Sequence, residues 1–196
     1  MELLTRELNK RRGRCIGVVS VLMTLLVLLV LAPPVRSAPT VASEYQLKAV
    51  FLFNFTQFVE WPPESFAESG APLIIGILGD DPFGAYLDET VRGEMVNGRP
   101  LVVQRYRRVD DIKNCHVLFV SRSEAEHLTQ VLSSLKGRSI LTVSDLDGFT
   151  RNGGVIRFAT VANKIRLRIS LDAAQSAKLM ISSKLLRPAE IVGRGE

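Results

Sequence analysis

The chain has 196 residues, 46% of them hydrophobic and 23% charged, and carries a formal net charge of +5 from 25 Lys and Arg against 20 Asp and Glu. These proportions exclude a disordered chain and a collagen-like repeat, and two cysteines exclude a disulfide-dense miniprotein. The length fits one domain with an appendage.

The appendage is residues 1–37. Lys10, Arg11, Arg12 and Arg14 form a basic cluster, an uncharged apolar run follows from Ile16 to Leu31, and then come Pro33, Pro34, Ser37 and Ala38. That order is the charged, apolar and small-residue sequence of a secretory signal. A helix through the 16-residue run would reach about 24 Å, short of the roughly 30 Å hydrocarbon core, so a cleaved signal is expected in preference to a spanning anchor. The expected cut follows Ser37, because Pro39 disfavours one after Ala38. Left uncleaved, the segment would be an inner-membrane anchor that still holds the domain outside the cytoplasm. Residues 1–37 carry six basic and two acidic side chains, which leaves 19 basic and 18 acidic in the remainder, a net charge of +1. Cys15 leaves too, so Cys115 has no partner for an internal disulfide.

Residues 38–43 read as a short linker, 44–192 as a single α/β domain and 193–196 as a tail. From Glu44 to Glu60 the residues Leu47, Val50, Phe51, Phe55, Phe58 and Val59 recur at helical spacing, with Ala49 and Phe53 widening the stripe. Trp61-Pro62 ends that helix. Leu73–Leu78 is an uninterrupted apolar run, the pattern of a strand covered on both faces. Asp81 and Pro82 read as the N-cap and first residue of a helix to about Val91. Asn97-Gly98 marks a turn before a strand at Leu101–Tyr106. Val117–Val120 is a second buried strand. Ser123 and Glu126 fit a capping box for an amphipathic helix to Leu135, closed by Gly137. A strand at Ser139–Val143 follows. Val155–Val161 and Lys164–Leu171 flank Ala162-Asn163 as a hairpin. Asp172 then starts a terminal helix that presents Ala173, Ala177, Met180, Ile181 and Leu185 and ends at Pro188. Strands alternating with helices predict parallel crossovers, and the hairpin adds an antiparallel edge. The expected fold is a three-layer α/β sandwich with a mixed, mostly parallel sheet of five to six strands, a C-terminal hairpin and a terminal helix.

Motifs for chemistry are scarce. There is no Walker A loop, no G-x-G-x-x-G after a strand and no G-x-S-x-G elbow. His116 and His127 lack companion ligands at a metal-binding spacing, so no metal or cofactor is expected. Cys115 opens an apolar strand and reads as a small buried hydrophobe. Asp80, Asp81, Ser121 and Asp145 fall just past strand C-termini, the edge where open α/β sheets bind ligands, although capping alone accounts for them. A turn at Ala162-Asn163 would pair Val161 with Lys164, put Phe158 opposite Leu167, and set Arg157 against Arg168 and Ala159 against Arg166. Arg157, Lys164, Arg166 and Arg168 thus form one basic face, either solvated and salt-bridged or a binding face for an acidic partner or small anion. Arg105, Arg107 and Arg108 form a weaker cluster. Nucleic acid is excluded as a partner, since an exported chain of net +1 lacks the positive excess.

Three segments carry a family resemblance. They are Tyr45-Gln-Leu-Lys48-Ala49 running through Phe51-Leu-Phe-Asn54-Phe55 to Trp61-Pro62; Val143-Ser144-Asp145 with Gly148-Phe149 and Gly153-Gly154-Val155-Ile156-Arg157-Phe158; and Ile181-Ser182-Ser183-Lys184-Leu185-Leu186. In order and spacing, across 44–192, the chain resembles the YfiR-like family of exported bacterial proteins. The resemblance implies a periplasmic, non-catalytic and often dimeric regulator. It further implies a membrane-bound diguanylate cyclase as the partner it restrains, hence control of cyclic di-GMP and biofilm, and an outer-membrane lipoprotein that sequesters it. Redox control through a cysteine pair, also known in the family, has no counterpart in a mature chain with Cys115 alone. The residues leave open a periplasmic small-ligand sensor or transport-accessory module, and more remotely a hydrolase.

Overall fold

The computed structural model describes residues 41–193. The secretory-signal segment lies outside them. The first helix, α1, is Val41–Phe58, and its last turn leads directly into strand β1, Val59–Glu60. Strand β2, Leu73–Leu78, is buried at all six positions. Helix α2 (Ala85–Val91), strands β3 (Met95–Val96) and β4 (Arg99–Tyr106), and strand β5 (Val117–Val120) follow. A 3-10 turn at Arg122–His127 precedes helix α3, Leu128–Ser134. Strands β6 (Leu141–Ser144), β7 (Ile156–Val161) and β8 (Lys164–Ser170) come next, then helix α4 (Leu171–Ser176), strand β9 (Met180–Ile181), helix α5 (Ser183–Leu186) and strand β10 (Glu190–Val192).

The main sheet has eight strands in the order β10-β8-β7-β6-β5-β2-β4-β3. β4, β2, β5, β6 and β7 run parallel, β7/β8 and β3/β4 are antiparallel, and β10 runs parallel to β8. The architecture is the expected mixed, mostly parallel α/β sheet. Its strand number exceeds the expected five to six because β3 and β10 are two and three residues long, formed by pairing along a neighbour without an apolar pattern of their own. A separate two-stranded ribbon pairs β1 with β9, Val59 opposite Ile181.

Side-chain alternation divides the core. Leu73, Ile75, Ile77, Val117, Phe119, Leu141, Val143, Ile156 and Phe158 meet α1 and α2 on one face. Leu78, Leu118 and Val120 meet α3 and Tyr106 on the other. Gly76 makes the second layer possible, since a Cβ there would stand 2.7 Å from the Tyr106 ring and 2.8 Å from Cys115 Sγ.

Several local expectations change. α1 buries Lys48, Ala49, Leu52, Phe55 and Thr56. Leu47 is 48% exposed and Val50 half-buried, because the sheet takes the neighbouring stripe. Asp81 caps no helix at Pro82. Its Oδ1 accepts from Phe83 N–H at 2.7 Å, and α2 starts after Gly84 at φ 55°. Ser123 forms no capping box, because its Oγ accepts the Asp80 N–H at 2.9 Å and Arg122–His127 is 3-10. The terminal helix is broken. Ser170, not Asp172, caps α4, which stops at Ser176; Lys178 has φ 56°, and β9 separates α4 from α5, capped by Ser182. The hairpin register is as read, with Ala162 and Asn163 both at positive φ in the manner of a type I′ turn.

Candidate functional site

β6 ends at Ser144, and the next residue, Asp145, turns into the interior. The first turns of α1 pass over that strand end and bring two side chains to it. Lys48 Nζ lies 2.6 Å from Asp145 Oδ2, and Tyr45 OH donates to the same oxygen at 2.9 Å. From the 3-10 turn after β5, Arg122 Nε donates to Oδ1 at 3.1 Å. Lys48 also holds Glu44, one helical turn earlier, at 2.8 Å, and Thr160 on β7 donates to that carboxylate at 3.0 Å. The Lys48 ammonium stands 4.3 Å from the Tyr45 ring centroid. Tyr45 in turn meets Phe83 edge-on at 5.6 Å, which joins the charges to the core.

The electrostatics are balanced: two cations face two carboxylates. Burial opposes ionisation of Asp145, but the bonds from Lys48, Tyr45 and Arg122 outweigh it and hold its carboxyl below the usual range. The bond from Lys48 lowers Glu44. Burial, with the Asp145 carboxylate beside it, pushes the Tyr45 phenol up to about 12. Asp145 is an ionised acceptor saturated by three donors, which suits it to fixing α1 on the sheet and not to accepting a proton from a substrate.

Parallel strands do bring Asp80, Asp81, Ser121 and Asp145 to one edge, after β2, β5 and β6. Each is held by different partners. The strand order reverses between β2 and β5, the place where such sheets open a ligand crevice. Here the loop after β5 packs onto Gly79, where a Cβ would stand 2.3 Å from Ser123 Oγ. Ser121 is buried and donates its N–H to Leu78 O at 3.0 Å. Asp81 Oδ2 accepts from Arg105 Nε at 2.8 Å, and the same guanidinium forks onto Asp88 at 2.5 and 3.0 Å. That pairing holds Asp88 below the usual carboxylate range.

On the hairpin, Arg157 stands opposite Arg168. Arg157 Nη2 donates to Asp147, and Arg168 Nε donates to Glu190 at 3.0 Å. Arg166 and Lys164 are exposed nearer the turn. Cys115 is buried, and burial pushes its thiol up to about 12. His116 is buried as well. Its Nδ1 accepts the Ile74 N–H at 3.0 Å, Phe66 stacks on the ring at 4.5 Å, and Trp61 Nε1 donates to its carbonyl at 3.1 Å.

Sequence reasoning found Asp145 but not Glu44, Tyr45, Lys48 or Arg122 as the other members of its cluster. One signal was present: Glu44, Tyr45 and Lys48 lie at i, i+1 and i+4, so a lysine sits within an otherwise apolar helix face and its carboxylate lies one turn before it.

Comparison with known proteins bears on the whole domain. A family model described as YfiR/HmsC-like matches residues 45–190. No curated protein matches the chain. Among solved structures, the crystal structure of a conserved domain protein from Vibrio cholerae biovar El Tor is similar, with a TM-score of 0.51 at 9% identity. The match covers 75% of this chain and 59% of that one, and at this identity it shows a shared fold.

Proposed function

The chain belongs to the YfiR/HmsC-like family, and from that membership we propose that it is a non-enzymatic periplasmic regulator that binds and restrains a membrane-bound diguanylate cyclase. The family match carries this reading, since it runs from Tyr45 on α1 to Glu190, the first residue of β10. The geometry supports it. Lys48, Tyr45 and Arg122 converge on the Asp145 carboxylate and occupy it, which makes the cluster a device for holding α1 in place. Among the described residues no helix is long and apolar enough to cross a membrane.

In this reading residues 1–37 export the domain, a homodimer is the working form, and an outer-membrane lipoprotein relieves the restraint by sequestering it. Deleting the gene should raise cellular cyclic di-GMP and increase biofilm. An unchanged cyclic di-GMP level would remove the cyclase from the account.

A further inference from the structure

The arginines of the hairpin border a cavity. It has a volume of about 310 Å³ and is lined by Gly148, Thr150, Arg151, Arg157, Arg168, Glu190 and Val192. Three elements build it: the Gly148–Gly153 turn, the face of the hairpin away from α1, and the edge strand β10.

The charges do not cancel. Arg157 and Arg168 are opposed across the strands, an unfavourable pairing on its own. Each has one carboxylate, Asp147 for Arg157 and Glu190 for Arg168. Each spends one donor on that bond, from Nη2 of Arg157 and from Nε of Arg168. Arg151 forms no ion pair among the described residues, which leaves three cations against two anions around the cavity. Guanidinium forks match oxyanions in shape, and a volume near the lower end of ligand pockets suits a group of few atoms.

We propose that this cavity is a binding site for a small oxyanion, a carboxylate or phosphate group held by Arg151, Arg157 and Arg168. Lys164 and Arg166 lie outside it. Because the site is separate from the Asp145 cluster and needs no partner protein, it stands or falls independently of cyclase control.

The test follows the arginine side-chain Nε–H resonances of the purified ¹⁵N-labelled protein during titration. Inorganic phosphate and acetate are added separately, with ionic strength held constant by sodium chloride. The expected result is a saturable shift of the Arg157 Nε–H signal. Saturation by phosphate alone identifies a phosphate-bearing ligand, by acetate alone a carboxylate, and by both a general oxyanion site. Arg157→Gln risks unfolding the hairpin, so the variants are Arg151→Ala and Arg166→Ala. Arg151→Ala should weaken saturation about tenfold, the loss of one charge-assisted contact. Arg166→Ala should leave it unchanged. The proposal is overturned if neither anion gives a saturable shift up to about 20 mM, concentrations at which even a millimolar site would fill. Equal effects of the two variants would overturn it as well.

Discussion

Lys48 and Asp145 lie 97 positions apart in the chain, yet their charged atoms meet at 2.6 Å, with 1% and 2% of the two side chains exposed. The pair ties the first turns of α1 to the end of β6. Burying an ammonium and a carboxylate is costly, and the attraction between them repays that cost only while both are present. Lys48→Met should therefore destabilise the domain by about 3–5 kcal/mol, because it strands a buried carboxylate with Tyr45 and Arg122 alone. The double variant Lys48→Met, Asp145→Leu should recover most of the loss. Urea unfolding of the three proteins measures this; a double variant no more stable than Lys48→Met would show that the pair is not coupled.

The orientation of α1 can be checked by truncation. Leu52 is fully buried and Leu47 is 48% exposed, although both fall on apolar helical spacings. Leu52→Ala should cost about 2–5 kcal/mol and Leu47→Ala well under about 1 kcal/mol. Comparable losses at the two positions would mean that α1 is rotated from the orientation described.

Gly76 is a point of close approach on the α3 side of the sheet. Its missing side chain leaves room for Tyr106, Cys115 and Leu118, all within 3.0 Å of where a Cβ would stand. Gly76→Ala should cost about 1–3 kcal/mol by overpacking. Adding Cys115→Ala removes one of the colliding atoms and should reduce the penalty. The same packing keeps Cys115 buried with its thiol at about 12, so the native protein should resist thiol-labelling reagents at pH 8 and react once unfolded.

His116 sets a pH dependence. Burial holds its imidazole at about 4, where an unfolded chain would protonate near 6.5. Between those values the unfolded state binds the extra proton. Stability is therefore full above pH 6.5 and falls as the pH drops towards 4, by about 3 kcal/mol in all. Asp145 and Glu44, held below the carboxylate range, add a further loss at more acidic pH. His116→Asn keeps an acceptor for the Ile74 N–H without titrating. It should flatten the dependence between pH 6.5 and 4 in urea-unfolding experiments, and an unchanged slope would assign that loss to other groups.

What could be read from the sequence was local. Leu73–Leu78 and Val117–Val120 are strands at the boundaries their apolar runs mark, because burial on both faces leaves no polar alternation to blur them. The hairpin register followed from a two-residue turn at Ala162-Asn163. Features created by distant contacts were not legible. β9 and β10 are too short to carry a pattern, and β9 exists because Val59 pairs with Ile181 across the fold. The stripe of α1 that faces inward is chosen by the sheet beneath it, since apolar residues lie on more than one face of that helix. Lys48 is buried because Asp145 awaits it, and nothing near Lys48 in the sequence names that partner.

The central claim, restraint of a cyclase from outside the cytoplasm, is tested most directly by cyclic di-GMP in a deletion strain carrying either the full chain or residues 38–196 without the export segment. With both proteins accumulating to equal levels, the full chain should return cyclic di-GMP to the parental value and the leaderless form should leave it high. Restoration by the leaderless form, or a deletion strain whose cyclic di-GMP never rises, would contradict the account.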